Sequence, residues 1–513
     1  MPVMSSAAPA PAGTANGDHS VPARPWIVVL AACAGQFLVV LDISVVNVAL
    51  PSMRTALGLD AAGLQWVVNA YTVTFAGFML LGGRAADIFG RKRMFLLGLA
   101  LFTAASLLGG LAQQPWQLLA ARVLQGTGAA VLAPATLTIL STSFPQGSAR
   151  TRAVATWSAV GAGGGAAGGL VGGVLTDALS WRWVLLINVP VGAVVLLAAA
   201  LWVREVRAPS APRRLDLPGA LLVTAGLGTL AWGVVQTESA GWTAAVSLVP
   251  LAAGLFLLAV FVAVEARTAA ALVPLRLFRS RAVSAANAAI FVLGGAMFCM
   301  WYFVSLYMQN VLHYTPLQAG LGFVPQSLSI VVGSKAAPYL MARTSARAVT
   351  LAGVVTAALG CLWQSGMHAD GGFLQTVTGP GILMALGAGM AGTPLASVAV
   401  AKAPHGEAGL VSGLVNTSRT MGGSLGLAVL STVATARIGG GGSPEMLASG
   451  YGLAFRTAAG VLVLCAAIVL FALPRSERED GPGENPVESP DGNPGETREE
   501  KPGGRRASAQ TKP

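Results

Sequence analysis

Charge is scarce in this chain: 10% of its 513 residues are Asp, Glu, Lys or Arg, against about 25% in an average soluble domain. Together with 54% hydrophobic residues and a mean hydropathy of +0.67, that scarcity excludes an ordinary soluble globule. It points to a chain that crosses a membrane many times. Cysteine is scarcer still. Cys33, Cys299, Cys361 and Cys465 all lie in apolar segments without metal-ligand spacing, so neither a disulfide framework nor a zinc site is expected. The four histidines are equally scattered, and neither a metal nor a cofactor is expected. A clustered nucleophile–base set is missing too, which argues against an enzyme. The net charge of +11 is spread in short clusters between apolar runs rather than gathered in a patch, and nucleic acid is set aside.

What is present is apolar length. Residues 1–25 are polar and rich in Ala, Pro, Gly and Ser, and 475–513 are charged and rich in Pro and Gly; both are expected to be disordered tails. Between them lie fourteen apolar segments of spanning length, about 20 residues each. They run over 26–48, 63–86, 94–112, 116–142, 152–176, 182–203, 217–236, 244–264, 284–308, 317–340, 347–366, 373–396, 408–433 and 453–473. The first continues past small residues without a clear cleavage site, so it is read as a span and not a signal peptide.

Basic residues set the orientation. With the N-terminus inside, sixteen fall in inner connections: Arg91, Lys92, Arg93, Arg150, Arg152, Arg204, Arg207, Arg213, Arg214, Arg267, Arg276, Arg279, Arg281, Arg343, Arg347 and Lys402. Four, namely Arg54, Arg182, Arg437 and Arg456, fall outside. Both termini are therefore expected in the cytoplasm. A weak internal repeat is also visible. "GRAADIFGRKR" ends the second segment and "SKAAPYLMARTSAR" the tenth, aligning Arg84 with Lys335. It fits an all-α polytopic protein of two six-helix bundles, 26–203 and 284–474, joined through 204–283, which carries two additional spans, the parallel-repeat plan of many transporters.

A carboxylate is costly inside a bilayer, yet "LDISVVNVALP" places Asp42 there. Counted at 1.5 Å per residue, Asp42 in the first segment and Arg122 in the fourth share a depth. A static ion pair is one reading. The other is a proton switch, because a nearby guanidinium favours the carboxylate, burial favours the acid, and rearranging helices changes both. Arginine does not release its proton, so Asp42 would carry it and Arg122 would modulate it. Arg419, midway along the thirteenth segment, is the other deep cation.

In the fifth segment Gly161, Gly165, Gly169 and Gly173 form an i, i+4 stripe flanked by Gly164, Gly168 and Gly172, which lets helix backbones approach closely. "GGRAADIFGRKR" sets Asp87 and Gly90 before three cations. It reads as a positive-inside loop or as a gate latch in which Asp87 pairs with a cytoplasmic arginine in one conformation only. Gln36, Asn47, Gln65, Asn69, Tyr71, Gln125, Trp301, Tyr302, Gln326 and Asn416 are polar or aromatic residues able to line a cavity.

These stretches resemble the fourteen-helix drug/proton antiporter family of the major facilitator superfamily over nearly all of 26–474. "LDISVVNVALP" is similar to its first-helix signature. "GGRAADIFGRKR" is similar to the loop 2–3 motif through Gly83, Asp87, Gly90 and Arg91, although Ile88 stands where a basic residue is usual. "RVLQGTGAA" resembles the fourth-helix motif, whose arginine, Arg122 here, is implicated in proton transfer. "GGLVGGVL" resembles the fifth-helix antiporter motif with Gly169 in place of the usual proline. "WRWVLLINVPVG", "RRLDLPGALL", "YTPLQAGLGFVPQ" and "NTSRTMGGSLG" also match in order and spacing.

The resemblance implies proton-coupled export of a hydrophobic or amphiphilic compound by alternating access, with the proton gradient as energy source. It implies Asp42 and Arg122 in coupling, and Arg419 with the polar set as cavity candidates. The alternative on the same fold is proton-coupled uptake of a small metabolite. With Asp42 facing Arg122, Arg419 leaves excess positive charge inside, so neutral, anionic or monocationic amphiphiles are expected over dications. A monomer is the default expectation.

Overall fold

The computed structural model describes residues 25–144, 148–203, 205, 215–268, 271–403, 407–439 and 442–474; the expectations about the two tails lie outside them. Every long element is a helix, and no strand occurs among the described residues. The order is α1 (Pro25–Leu57), α2 (Ala61–Phe89), α3 (Arg91–Gly110), α4 (Pro115–Ser143), α5 (Ser148–Ala178), α6 (Trp183–Leu186), α7 (Asn188–Trp202), α8 (Leu217–Ala240) and α9 (Ala245–Glu265). There follow α10 (Arg281–Asn310), α11 (Pro316–Gly322), α12 (Val324–Arg343), α13 (Ala346–Gln364), α14 (Gly379–Ala401), α15 (Ala408–Ile438) and α16 (Pro444–Phe471).

Local chemistry sets the starts. Asp60 accepts from the Gly63 amide at 2.7 Å to cap α2, Asp216 does the same for α8 through Gly219 at 2.9 Å, and Thr315 with Gln318 forms a capping box on α11. Gly90, at φ +106°, ends α2 and begins α3, a conformation that glycine takes without a Cβ clash.

Twelve of these helical stretches are long and apolar enough to cross a membrane, and α5, bent by 41° between Gly165 and Ala167, makes a thirteenth. The tenth expected segment is the exception. It is broken into α11 and α12, and Gln326, Ser327, Ser334 and Lys335 dilute the apolar character of α12, which still packs along α14 and reaches α5.

Helix pairing repeats itself. In the first half α1 packs on α5 and α7, α4 on α2 and α3, and α3 on α7. In the second half α10 packs on α15 and α16, α14 on α12 and α13, and α13 on α16. The weak sequence repeat has a backbone counterpart. A Cβ at Gly82, two residues before Arg84, would stand 2.3 Å from the Ala130 carbonyl of α4. One at Gly333, two before Lys335, would stand 2.3 Å from the Leu386 carbonyl of α14. Small residues thus bring the same two helices together in each half.

Between the halves, α2 meets α15, α5 meets α11 and α12, and α1 meets α10. The inserted pair lies at the α2–α15 seam, where α8 touches both helices. α9 packs on α8 and buries only Ser247, Gly254 and Glu265, leaving an apolar surface suited to lipid.

Candidate functional site

Asp42 is wholly buried and Arg122 nearly so, at 0% and 2% exposure. Arg122 Nη1 donates to Asp42 Oδ2 at 2.7 Å and to Gln125 Oε1 at 2.8 Å, while Nε donates to the Val67 carbonyl at 3.0 Å. Gln125 Nε2 donates to Asp42 Oδ1 at 2.7 Å and to Ser106 Oγ at 2.8 Å. Asn188 Nδ2 reaches the same two oxygens at 3.3 Å. The Tyr71 ring lies 4.3 Å from the guanidinium carbon, a cation–π contact. Five helices, α1, α2, α3, α4 and α7, converge on one carboxylate. A buried pair compensates its desolvation only when its remaining polar atoms are bonded in this way.

The pair is not in the wall of the cavity. A cavity of about 1490 Å³ runs between the two halves. On α1 its wall is Gln36, Val39, Val40, Ile43, Ser44 and Asn47, one helical stripe. At ~100° per residue Asp42 lies roughly 130° around α1 from that stripe, facing α4. On α10 the wall is Ile290, Leu293, Gly294, Met297, Phe298 and Trp301, at the same spacing.

Gln36, Asn47, Trp301, Asn416 and Arg419 line the cavity; Asn69, Gln125, Tyr302 and Gln326 do not. Asn69 accepts from Ser424 Oγ at 3.2 Å in the α2–α15 seam. Gln125 is consumed by the ion pair. Tyr302, one residue past Trp301, turns away and packs edge-on against Phe303 at 5.1 Å. Gln326 is fully buried, at a close approach of α12 to Gly381 of α14. Gln65 and Tyr71 are buried outside the lining as well.

One end of the cavity reaches Arg84, Asp87, Thr268, the 271–276 stretch and Glu407, the end rich in basic residues. The opposite end is closed. Ser305 Oγ donates to the Asn47 carbonyl at 2.7 Å and Gln309 Nε2 to the Val48 carbonyl at 2.9 Å, joining α10 to α1.

The α5 glycines divide between two jobs. Gly164, Gly168 and Gly172 meet α1: a Cβ at Gly168 would stand 2.4 Å from Ser44 Cβ, and one at Gly172 2.8 Å from the Val45 carbonyl. Gly169 and Gly173 meet the other half, where a Cβ on Gly173 would stand 2.6 Å from the Pro316 carbonyl. Gly161 and Gly165 have ordinary clearance, 3.4 and 3.6 Å.

At the gate motif, Arg91 pairs with Asp87 at 3.3 Å, one turn apart, and Gly83 lines the cavity. Sequence reasoning missed Glu205. Its carboxylate accepts from the Lys92 and Arg93 amides, each at 3.2 Å, so it sits where the N-terminus of α3 favours an anion. Also missed were Ser106 and Asn188 around Asp42, and the charged groups at the cavity mouth. Glu265 is buried at the end of α9 and accepts from the Val273 amide at 3.2 Å. Arg276 pairs with Glu407. Asn188 carried a signal, an amide inside an apolar run ("LLINVPVG").

Comparison with known proteins agrees with this geometry. A family model described as Major Facilitator Superfamily matches residues 32–427. A cephamycin export protein of Amycolatopsis lactamdurans is 50% identical over 91% of this chain and 96% of its own length. A puromycin resistance protein of Streptomyces alboniger is 38% identical over 94% and 97%. A lincomycin resistance protein of Streptomyces lincolnensis is 32% identical over 92% and 96%. Among solved structures, a bacterial homologue of the human lysosomal transporter Spinster, inward-facing and unoccupied, matches with a TM-score of 0.63 at 19% identity. It covers 88% of this chain and 98% of that one, and at that identity the likeness speaks to the fold alone.

Proposed function

The chain belongs to the major facilitator superfamily, and from that premise we propose that it exports an antibiotic or a similar amphiphilic small molecule in exchange for protons. The protein is a multi-pass membrane transporter; its direction, its energy source and its termini are the proposed part. The observation that carries the reading is the cavity. It lies between two repeated halves, is walled by aromatic, aliphatic and a few polar side chains, reaches the basic end of the molecule and is closed at the other. With basic residues on the cytoplasmic face, this is the state that takes its cargo from inside the cell. The export and resistance proteins to which the chain is similar support the direction.

Coupling is assigned to Asp42. Because the carboxylate stands behind the cavity wall, proton and cargo do not compete for one contact. They are linked through α1, which bears Asp42 on one face and Gln36, Ile43 and Asn47 on the other. Loss of the proton charges the Arg122 pair and holds α1, α4 and α7 together. Protonation weakens that hold and lets α1 and α5 rock against α10 and α11. No cofactor is required, and a single copy contains the whole pathway. The two six-helix bundles, 26–203 and 284–474, with 204–283 carrying the inserted pair, are the bodies that rock.

The test uses inverted vesicles energised by a proton gradient, containing the native protein or Asp42→Asn, with a panel of neutral, cationic and anionic amphiphiles. Native vesicles are expected to accumulate some compounds while discharging the gradient, and Asp42→Asn vesicles to do neither. Coupled accumulation that survives in Asp42→Asn places the proton site elsewhere. Accumulation of nothing in the panel by the native protein withdraws the export reading.

A further inference from the structure

The charged groups of the cavity wall pair off unequally. Six described ones line it: Arg84, Asp87, Glu265, Arg276, Glu407 and Arg419. Asp87 is held by Arg91 and Glu407 by Arg276, while Glu265 accepts from the Val273 amide and has no cation partner among the described residues. The remaining deep carboxylate, Asp42, is consumed by Arg122 outside the wall. Two wall cations, Arg84 and Arg419, are left without a carboxylate partner among the described residues, and the deeper is Arg419, midway along α15.

Arg419 is fixed and open. Its backbone is pinned because Gly294 of α10 lies against its carbonyl, where a Cβ would stand only 2.3 Å away. One guanidinium nitrogen is oriented by Asn416 Oδ1, and Asn416 Nδ2 in turn reaches Met79 Sδ of α2 at 3.0 Å. The side chain is exposed to the cavity, and no carboxylate pairs with it among the described residues. An arginine in such a setting presents a planar fork of donors matched to a carboxylate, sulfonate or phosphate. The aromatic rings of Phe298 and Trp301 lie on the facing helix α10.

We propose that Arg419 is the anion-recognising residue of the cavity, and that the preferred cargo is an amphiphile with an apolar, ring-bearing body and one acidic group. The proposal rests on the export reading but concerns binding alone, so the two can fail separately. Asn416 acts as a positioning residue for the guanidinium.

The experiment measures equilibrium binding to the purified full chain in neutral detergent, without a gradient. It uses three probes on one aromatic body: 1-pyrenebutyrate, its methyl ester and its trimethylammonium analogue. The carboxylate is expected to bind more tightly than the ester, and the ester more tightly than the cation. In Arg419→Gln the carboxylate is expected to lose about 10- to 100-fold in affinity, the range of one charge-assisted hydrogen bond, with the ester little changed. Arg419→Lys keeps the charge and is expected to keep the order with a smaller margin. Asn416→Ala is expected to narrow the carboxylate–ester ratio. Failure of the carboxylate to bind more tightly than its ester to the native protein overturns the proposal without any variant having to fold. An unchanged ratio in a folded Arg419→Gln overturns it too. Retained probe selectivity with no gradient-driven accumulation would sink the export reading and leave this one standing.

Discussion

At the scale of the residue, what matters is the contrast between two arginines. Arg122 spends its donors on Asp42, Gln125 and the Val67 carbonyl, whereas Arg419 is met by a single neutral amide. Removing one partner of a buried pair costs about 3–5 kcal/mol. Asp42→Asn is therefore expected to lower the melting temperature in detergent as well as to uncouple transport. Arg122→Lys keeps the charge but not the fork that reaches both Asp42 and Val67, so it is expected to restore less than a tenth of coupled transport. Transport at the native rate in Arg122→Lys would show that only the charge matters. The ion pair itself was legible in the sequence, since two opposite charges at one depth of two spans have few other partners. Ser106 and Asn188 were not, because neutral polar residues in spans are common and which of them face one another depends on helix rotation. Rotation also decided the cavity wall: Trp301 and Tyr302 are chain neighbours with opposite fates.

At the scale of the element, α5 carries the clearest division. Its contact with α1 stays within one half, while its contact with α11 lies between the halves and has to open during alternating access. Gly168→Ala and Gly172→Ala are expected to destabilise the protein by ~1–3 kcal/mol, the usual cost of overpacking, read as a lower melting temperature. Gly165→Ala, with 3.6 Å of clearance, is expected to leave it unchanged. Gly173→Ala wedges against Pro316 instead, and is expected to leave stability near native while shifting the population away from the state closed at that end. Accessibility of a cysteine placed at Asn47 to a membrane-impermeant thiol reagent would report the shift. Equal effects of all four substitutions on melting would show that the stripe is generic packing. The glycine stripe could be read from its i, i+4 spacing, but its two faces could not, because spacing does not say which neighbour each face meets. Gly90 was legible as part of a loop. Glu205, which accepts from the Lys92 and Arg93 amides just after it and lies more than a hundred residues away in sequence, was not.

At the scale of the whole molecule, the fold followed from apolar length and one weak repeat, which the paired approaches of Gly82 and Gly333 turn into structure. The tenth segment was the place where hydropathy alone reads poorly, because α12 carries polar residues within the bundle. Charge at this scale gives a further prediction. Exporting a monoanion against protons carries one more charge across the membrane than exporting a neutral compound, worth about 2.3 kcal/mol for every 100 mV. In vesicles, collapsing the membrane potential with valinomycin and potassium while keeping the pH gradient is expected to slow an anionic cargo more than its neutral ester. Equal slowing would separate the cargo's charge from the driving force.

The most direct measurement is proton release on cargo binding. Purified protein in weakly buffered detergent, with a pH indicator, is titrated with a transported compound across a series of starting pH values. If Asp42 carries the coupled proton and the cavity state favours its charged form, the native protein releases protons as cargo binds, and Asp42→Asn binds cargo while releasing none. Equal release from the two proteins, or binding to the native protein with no release at any pH, contradicts coupling through Asp42.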